Sequence, residues 1–261
     1  MSLTNKIALV TGAGTGIGRG IAIELGARGA RVAIHYNRSD AGALETQQQI
    51  EALGGQSILV QADVSQHDQI MRMVNQTADY YGQIDILVNN AALQLNYSLF
   101  DYDEATYDRI MHTNIKGYWQ CTQAVIPHMK HSGAGRIINI SSVHAKRPGD
   151  FDIGYAMTKG GIRMLTRESA IELAQYGITV NAIEPGAIKV GVQSPRDSKP
   201  FYSAEESERA RANPKDIRQR FPLGRVGLPS DVAALACYIA SEDSAYMTGS
   251  AIRLDGGSMH L

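Results

Sequence analysis

Cysteine is nearly absent from this chain: only Cys121 and Cys237 occur in 261 residues. Both lie in apolar stretches that read as helices, which points to buried reduced thiols and away from a disulfide framework. A dominant charge is absent as well. The formal net charge is −1 and no dense basic run is present, so a surface built for nucleic acid or an anionic membrane is not expected. No apolar run approaches the ~20 residues of a membrane span. The opening MSLTNKIALV leads directly into a strand with no secretory pattern, which predicts a cytoplasmic location. Metal-ligand clusters are missing too. His128 and His131 fall near a helix end without a carboxylate or third ligand, so no metal is expected.

What the chain has is glycine, 26 residues of it, and a regular alternation of apolar runs with amphipathic segments. "KIALVTG", "RVAIHY", "SILVQADV", "IDILVNNA", "GRIINISS", "GITVNAIEPG" and "SAIRLDGG" read as strands. Helices are read between them at 40–53, 66–81, 103–129 and 154–176, with "RGIAIELGARG" after the first strand. The strands are continuous apolar runs, so both faces of their sheet are covered. The expected fold is α/β, a Rossmann-type doubly wound parallel sheet of about seven strands with helices on both faces. One domain is expected over 1–261. The irregular stretch 187–222, rich in Pro, Ser and charge, is too long for a simple connection and reads as a substrate lid with a short helix near 204–211.

The turn "TGAGTGIGRG" joins the first strand to the first helix. It departs from G-x-G-x-x-G but has Gly12, Gly16 and Gly18 in a Thr-Gly-x-x-x-Gly-x-Gly spacing. A tight turn, a bare backbone and a helix N-terminus together suit a pyrophosphate, held by Gly12, Thr15, Gly16, Ile17 and Gly18. The second strand runs out through Tyr36, Asn37, Arg38 and Ser39, with no acidic residue before Asp40. An acid there would repel a 2′-phosphate, whereas Arg38 can pair with one and Asn37 and Ser39 can donate to it. The expected cofactor is NADP, with NAD use left open. Asp63 and Val64, at the end of the third strand, are placed for the adenine. Asn90 and Ala91, at the end of the fourth, are placed for a ribose.

Tyr155 and Lys159 are spaced i, i+4, so a helix presents both on one face. A free phenol has a pKa of about 10, and a neighbouring ammonium favours its ionised form. Ser142, after the fifth strand, can hydrogen-bond a substrate oxygen on which charge develops.

With "TGAGTGIG", "NNAA", "HTNIKG", "SS" at Ser141 and Ser142, "YAMTK" and "PG" in this order, the chain resembles the short-chain dehydrogenase/reductase family over essentially its whole length. The resemblance implies an oxidoreductase with the tetrad Asn114, Ser142, Tyr155 and Lys159. Tyr155 would be the acid/base and Ser142 would orient the substrate oxygen. Lys159 would hold the nicotinamide ribose and lower the tyrosine pKa, and Asn114 would interrupt its helix and hold a relay water. It also implies that Pro185, Gly186 and Ile188 line the nicotinamide end and that the long helices pair in a homotetramer. The apolar residues Ile110, Ile115, Trp119, Ile162, Leu165 and Ile171 are taken as surplus to one sheet face. Two departures stand out: Ala92 where the family usually has glycine, and Val190 where it often has threonine.

The expected substrate pocket is polar, with Gln94, Asn96, Ser142 and His144 as candidate contacts and Leu95, Lys146, Asp150 and Phe151 beside them. "SSVHAK" and "YAMTKGGIRMLT" are similar to the glucose 1-dehydrogenase branch of the family, which implies a sugar or polyol as substrate. The alternatives are a 3-oxoacyl or general carbonyl reductase, for which Lys189, Arg196 and Lys199 could form a basic patch among Asp197, Glu205 and Glu206, and a dinucleotide-binding sensor without turnover.

Overall fold

The computed structural model describes residues 2–130, 133–148, 153–190 and 217–260. His131, Asp150, Phe151, Arg196, Asp197, Lys199, Glu205 and Glu206, and the helix expected at 204–211, lie outside the described residues.

The strands are β1 Ile7–Val10, β2 Arg31–Tyr36, β3 Gln56–Gln61, β4 Ile86–Asn89, β5 Arg136–Ile140, β6 Thr179–Pro185 and β7 Ala251–Leu254. They form one sheet in the order β3-β2-β1-β4-β5-β6-β7, with every pairing parallel. The chain winds outward through β2 and β3, then returns to place β4 on the other side of β1. The carboxyl ends of β1 and β4 are therefore the switch point, where open α/β sheets take ligands.

Helices α1 Gly16–Ala27, α2 Asp40–Ala52 and α3 His67–Tyr81 follow the first three strands. After β4 come α4 Glu104–Met111, a π-helical stretch His112–Lys116 and α5 Gly117–Met129, a single rod with a widened turn inside it. Helix α6 Ile153–Leu173 precedes β6, and α7 Pro229–Ala240 precedes β7.

The parallel strands alternate their side chains between two cores. Ala8, Val10, Val32, Ile34, Ile86, Val88, Ile138, Ile140 and Ile183 meet α1, α2 and α7 on one face. Leu9, Ala33, Val60, Leu87, Ile137 and Val180 meet α3, α5 and α6 on the other. This is the physical reason the strands read as unbroken apolar runs: both pleat faces are buried, at a gain of roughly 25 cal/mol per Å² of apolar surface.

The apolar surplus expected on the long helices is corrected in part. Ile110 and Ile162 are fully buried and belong to the interior, whereas Trp119 is 47% and Ile171 77% exposed. The two ends of the expected lid are tied together: the Gly227 amide donates to the Ala187 carbonyl, and the Lys189 amide donates to the Gly227 carbonyl, both at 2.9 Å. Residues 191–216 between them lie outside the described residues.

Candidate active site

The glycine turn is built from strand ends on both sides of β1. The Thr11 hydroxyl accepts from the Asn90 and Ala91 amides at 2.8 and 3.1 Å and donates to the Val88 carbonyl. The Asn90 side chain donates to the carbonyls of Thr11 at 2.9 Å and Gly12 at 3.2 Å. Gly12 has φ +65°, a left-handed conformation that glycine adopts without strain. A Cβ on Gly18 would lie 2.3 Å from the Gly12 carbonyl oxygen, so α1 can pack directly on the turn only with glycine there. Thr15 occupies the N-cap without a side-chain cap and is exposed. The first-turn N–H groups of α1 therefore face an anion-accepting opening. Ile17 is partly buried against the core.

At the β2 end, Asn37 and Arg38 are exposed and Tyr36 and Ser39 half-buried. Arg38 is near Asp63. Burial works to raise the Asp63 pKa, but donors from the Ser65 backbone, the Ser65 hydroxyl and the Asn37 side chain, with the Arg38 charge, hold it below the usual carboxylate range. The exposed Asn37 carboxamide, which carries two N–H donors, thus donates to Asp63 within the protein. The Val64 side chain is buried in the core, so a contact from Val64 to a ligand would be made by its backbone.

Asn114 sits in the π-helical stretch and is fully buried. Its Oδ1 accepts from the Leu93 amide at 2.7 Å, and its Nδ2 donates to the Leu93 carbonyl at 2.8 Å and to the Thr158 hydroxyl at 3.2 Å. The interrupted helix implied by the family resemblance is therefore present, and its side chain ties the β4 exit to α6. Such π turns are concentrated at functional sites.

Tyr155 and Lys159 lie one turn apart on α6. The Lys159 Nζ is 5.3 Å from the centre of the Tyr155 ring and 5.4 Å from that of Tyr118. It donates to the Ile140 carbonyl at 2.7 Å. Lys159 is only 2% exposed, and this burial lowers its pKa from 10.5 to about 7. A buried lysine supported by carbonyl and ring faces is costly to keep. Ser141 holds the helix from below, donating to the Lys159 carbonyl at 3.0 Å. Ser142 is buried, and its hydroxyl accepts from the His144 amide at 3.1 Å, which leaves its proton free to donate. The His144 ring stands edge-on to Tyr155 with centroids 6.2 Å apart.

Among the expected substrate contacts, Gln94 is exposed, and Asn96 is half-buried with its Oδ1 enclosed and without a hydrogen-bond donor. Lys146 is not a free loop lysine. It forms an ion pair at 3.1 Å with Glu184, a fully buried carboxylate on β6 that also takes Arg163 of α6 at 2.8 Å. Gly186 is fixed beside β7 by its amide, which donates to the Leu254 carbonyl at 2.9 Å, and Ile188 leans on the core. Val190 lies over the glycine turn: its Cβ is 3.4 Å from where a Cβ on Gly16 would be. The residue that departs from the family thus closes on the turn itself. Ala92 is exposed.

Sequence reasoning overlooked Thr158, Tyr118, His35, Glu184 and Arg163. Thr158 and Arg163 had a signal, their spacing from Tyr155 and Lys159 along one helix. Glu184 had a weaker one, an acid inside an apolar strand.

Among the described residues no helix is long and apolar enough to cross a membrane, and no group of three or more His, Cys, Asp or Glu could hold a metal. Both cysteines are buried and free.

The short chain dehydrogenase family model matches residues 6–200. The chain is 35% identical to a 3-oxoacyl-[acyl-carrier-protein] reductase from Staphylococcus epidermidis over 254 residues, covering 97% of this chain and 98% of that protein. A candidate short-chain alcohol dehydrogenase from Sinorhizobium meliloti 1021 superposes with TM-score 0.88 at 34% identity, over 99% of this chain and 98% of the other. A candidate gluconate dehydrogenase from Agrobacterium tumefaciens gives TM-score 0.86 at 30% identity, over 100% and 98%. A tyrosine–lysine pair on α6, a serine at the end of β5 and a glycine turn at the switch point converge with these matches: the chain belongs to the short-chain dehydrogenase family and is an NAD(P)-dependent oxidoreductase acting on CH–OH or carbonyl groups.

Proposed function

We propose that the chain interconverts a secondary alcohol and its carbonyl on a small polar substrate of the sugar or polyol type, with NADP preferred over NAD. The observation that carries the catalytic part is Lys159, buried with its ammonium 5.3 Å from the Tyr155 ring centre and 5.4 Å from that of Tyr118, and bonded to the Ile140 carbonyl. The fold gains nothing from a lysine there, whereas acid–base chemistry does.

The residues present fit the cofactor. The uncapped start of α1 at Thr15, Gly16, Ile17 and Gly18 would hold the pyrophosphate, and Arg38, with Ser39, a 2′-phosphate. Asp63 and the Val64 backbone would take the adenine, and Asn90 and Ala91 a ribose. Tyr155 and Lys159 would take the nicotinamide ribose, and Pro185, Gly186 and Ile188 the carboxamide. When bound, the nicotinamide supplies or accepts the hydride. The protein's own part is the proton: the Ser142 hydroxyl donates to the substrate oxygen and fixes it, Tyr155 takes or returns the proton, and the Lys159 charge favours phenolate. Asn114 holds Leu93 and Thr158, and through them the wall of the cleft and the helix carrying Tyr155.

The polar reading of the substrate is supported by Gln94, by the enclosed Asn96 oxygen and by His144 beside Tyr155, since polyols need several fixed hydrogen-bond partners. A second reading, reduction of 3-oxoacyl thioesters, is favoured by the similarity to the Staphylococcus epidermidis protein. An absorbance assay at the nicotinamide band, crossing NADP and NAD with aldoses, polyols, apolar ketones and a 3-oxoacyl thioester, separates the two. Turnover of polyols or aldoses is expected; turnover confined to the thioester or to apolar ketones would reject the sugar assignment. In the same assay Arg38→Ala should weaken NADP against NAD about tenfold or more, the scale of one lost hydrogen bond to a charged group. An unchanged ratio would remove Arg38 from the phosphate site.

The assembly we propose is a homotetramer in the cytoplasm, pairing the faces on which Trp119, Met164 and Ile171 are exposed. Light scattering should give four times the chain mass of 28.3 kDa; a monomer would contradict it.

A further inference from the structure

His35 is a histidine that the cofactor reading does not use. It lies on β2, is 1% exposed, and its ring meets the backbone of Gly12 and Ala62. The Gly12 amide donates to its Nδ1 at 2.9 Å, so the ring proton sits on Nε2, which donates to the Ala62 carbonyl at 2.9 Å. The Ala13 amide donates to the His35 carbonyl at 2.8 Å. The first two N–H groups of the turn are thus both drawn inward by one residue, and the following ones are left to face the ligand opening. On the opposite side the Gly12 carbonyl is held by Asn90 and packed under Gly18. Gly12 is therefore pinned between β2 and β4, and α1 rests on it. The other end of the ring holds Ala62, the residue before Asp63. Burial lowers the His35 pKa to about 4, so the ring is neutral at pH 7 and Nδ1 can accept.

We propose that His35 is a positioning residue for the dinucleotide: its Nδ1 accepts the Gly12 amide and fixes the direction in which the glycine turn leaves β1, and its Nε2–H ties that turn to the β3 end that carries Asp63. The inference rests on the reading of Thr11–Gly18 as the cofactor site. It assigns the turn's shape to a side chain on β2, the strand beside β1, and not to glycine content alone.

The two contacts can be separated by substitution. Asn places its amide oxygen near the position of Nδ1 and keeps an acceptor for Gly12, but does not reach Ala62. Gln places its amide near Nε2, keeps a donor for Ala62 and loses the acceptor. NADPH binding to the purified protein, followed by nicotinamide fluorescence, should be weakened by less than about threefold in His35→Asn and by about tenfold or more, 1.4 kcal/mol or more, in His35→Gln. Equal weakening in the two variants, or none in His35→Gln, would overturn the assignment. If His35→Gln does not fold, a folded His35→Asn that has lost tenfold in affinity would overturn it, and one that binds like wild type would support it. The imidazole nitrogens of the wild-type protein give a reading that needs no variant: an Nε2–H tautomer by ¹⁵N NMR is required, and an Nδ1–H tautomer rules the proposal out. A wild-type protein that binds neither NADPH nor NADH would reject the cofactor reading itself, whatever His35 does.

Discussion

Tyr155→Phe leaves a folded protein that binds cofactor and turns over far more slowly. The substitution removes one hydroxyl and keeps the ring against His144 and Lys159. A positioned acid–base group contributes roughly 10²–10⁴-fold to rate, so kcat is expected to fall by that amount. kcat and kcat/KM should fall together, because the proton transfer is made only in the transition state. The dissociation constant for NADPH should change by less than about threefold, since losing one hydrogen bond of a half-exposed phenol is worth ~1 kcal/mol or less. Stopped-flow binding and steady-state rates on the same preparation check both halves. Retained turnover would remove Tyr155 from the acid–base role, and the sensor without turnover would become the better reading.

Lys159→Met is expected to move stability and activity in opposite directions. In the folded protein burial lowers the lysine pKa from 10.5 to about 7. Above pH 10.5 both states are neutral at this site and it costs nothing. As pH falls toward 7 the unfolded chain takes up a proton that the folded chain does not, so stability decreases across that window and is level below it. The span corresponds to roughly 5 kcal/mol at ~1.36 kcal/mol per pH unit. Against this, the substitution removes the donor from the Ile140 carbonyl, a loss of ~1–3 kcal/mol if the group were left unsatisfied. The Tyr118 hydroxyl still donates to that carbonyl at 3.1 Å, so the desolvation effect wins. Methionine fills a similar volume and is easily accommodated. The melting temperature at pH 7 should rise by several degrees, at about 2–4 °C per kcal/mol for a chain of this size. The wild-type gain in stability between pH 7 and 10.5 should be absent in the variant. Activity should fall by about 10²-fold or more, with the tyrosine no longer beside a cation. A variant that is less stable and equally active would mean that Lys159 is a structural residue.

The sheet was legible because its central strands are covered on both faces, which turns burial into a run that can be read directly: "IALV" and "RIINI" are buried throughout. The tyrosine–lysine pair was legible because it is a local spacing on one helix. The supports of that pair were not. Tyr118 and the Ile140 carbonyl reach Lys159 from another helix and a strand, and Thr158 meets Asn114 across 44 positions. Nothing local in "HTNIKG" specifies the widened turn that aims Asn114. Lys146 shows the opposite limit. Its place in the sequence put it beside the expected substrate contacts, and nothing local showed its ion pair with the buried Glu184 on β6. His35 reads as one of several polar residues at a strand end. The pleat turns it inward, and only the pairing of β1 with β2 places Gly12 within its reach.

The central claim is that this constellation moves a hydride between nicotinamide and a substrate carbon while Tyr155 handles the proton. Isotope transfer tests it most directly. Wild-type protein is incubated with NADPH carrying two deuterium atoms at the nicotinamide C4 and with a polar ketone that it reduces, and the alcohol is weighed by mass spectrometry. One deuterium on the carbinol carbon is predicted, with product formation by Tyr155→Phe reduced about 10²–10⁴-fold. An alcohol without deuterium, or equal product from the variant, would contradict it.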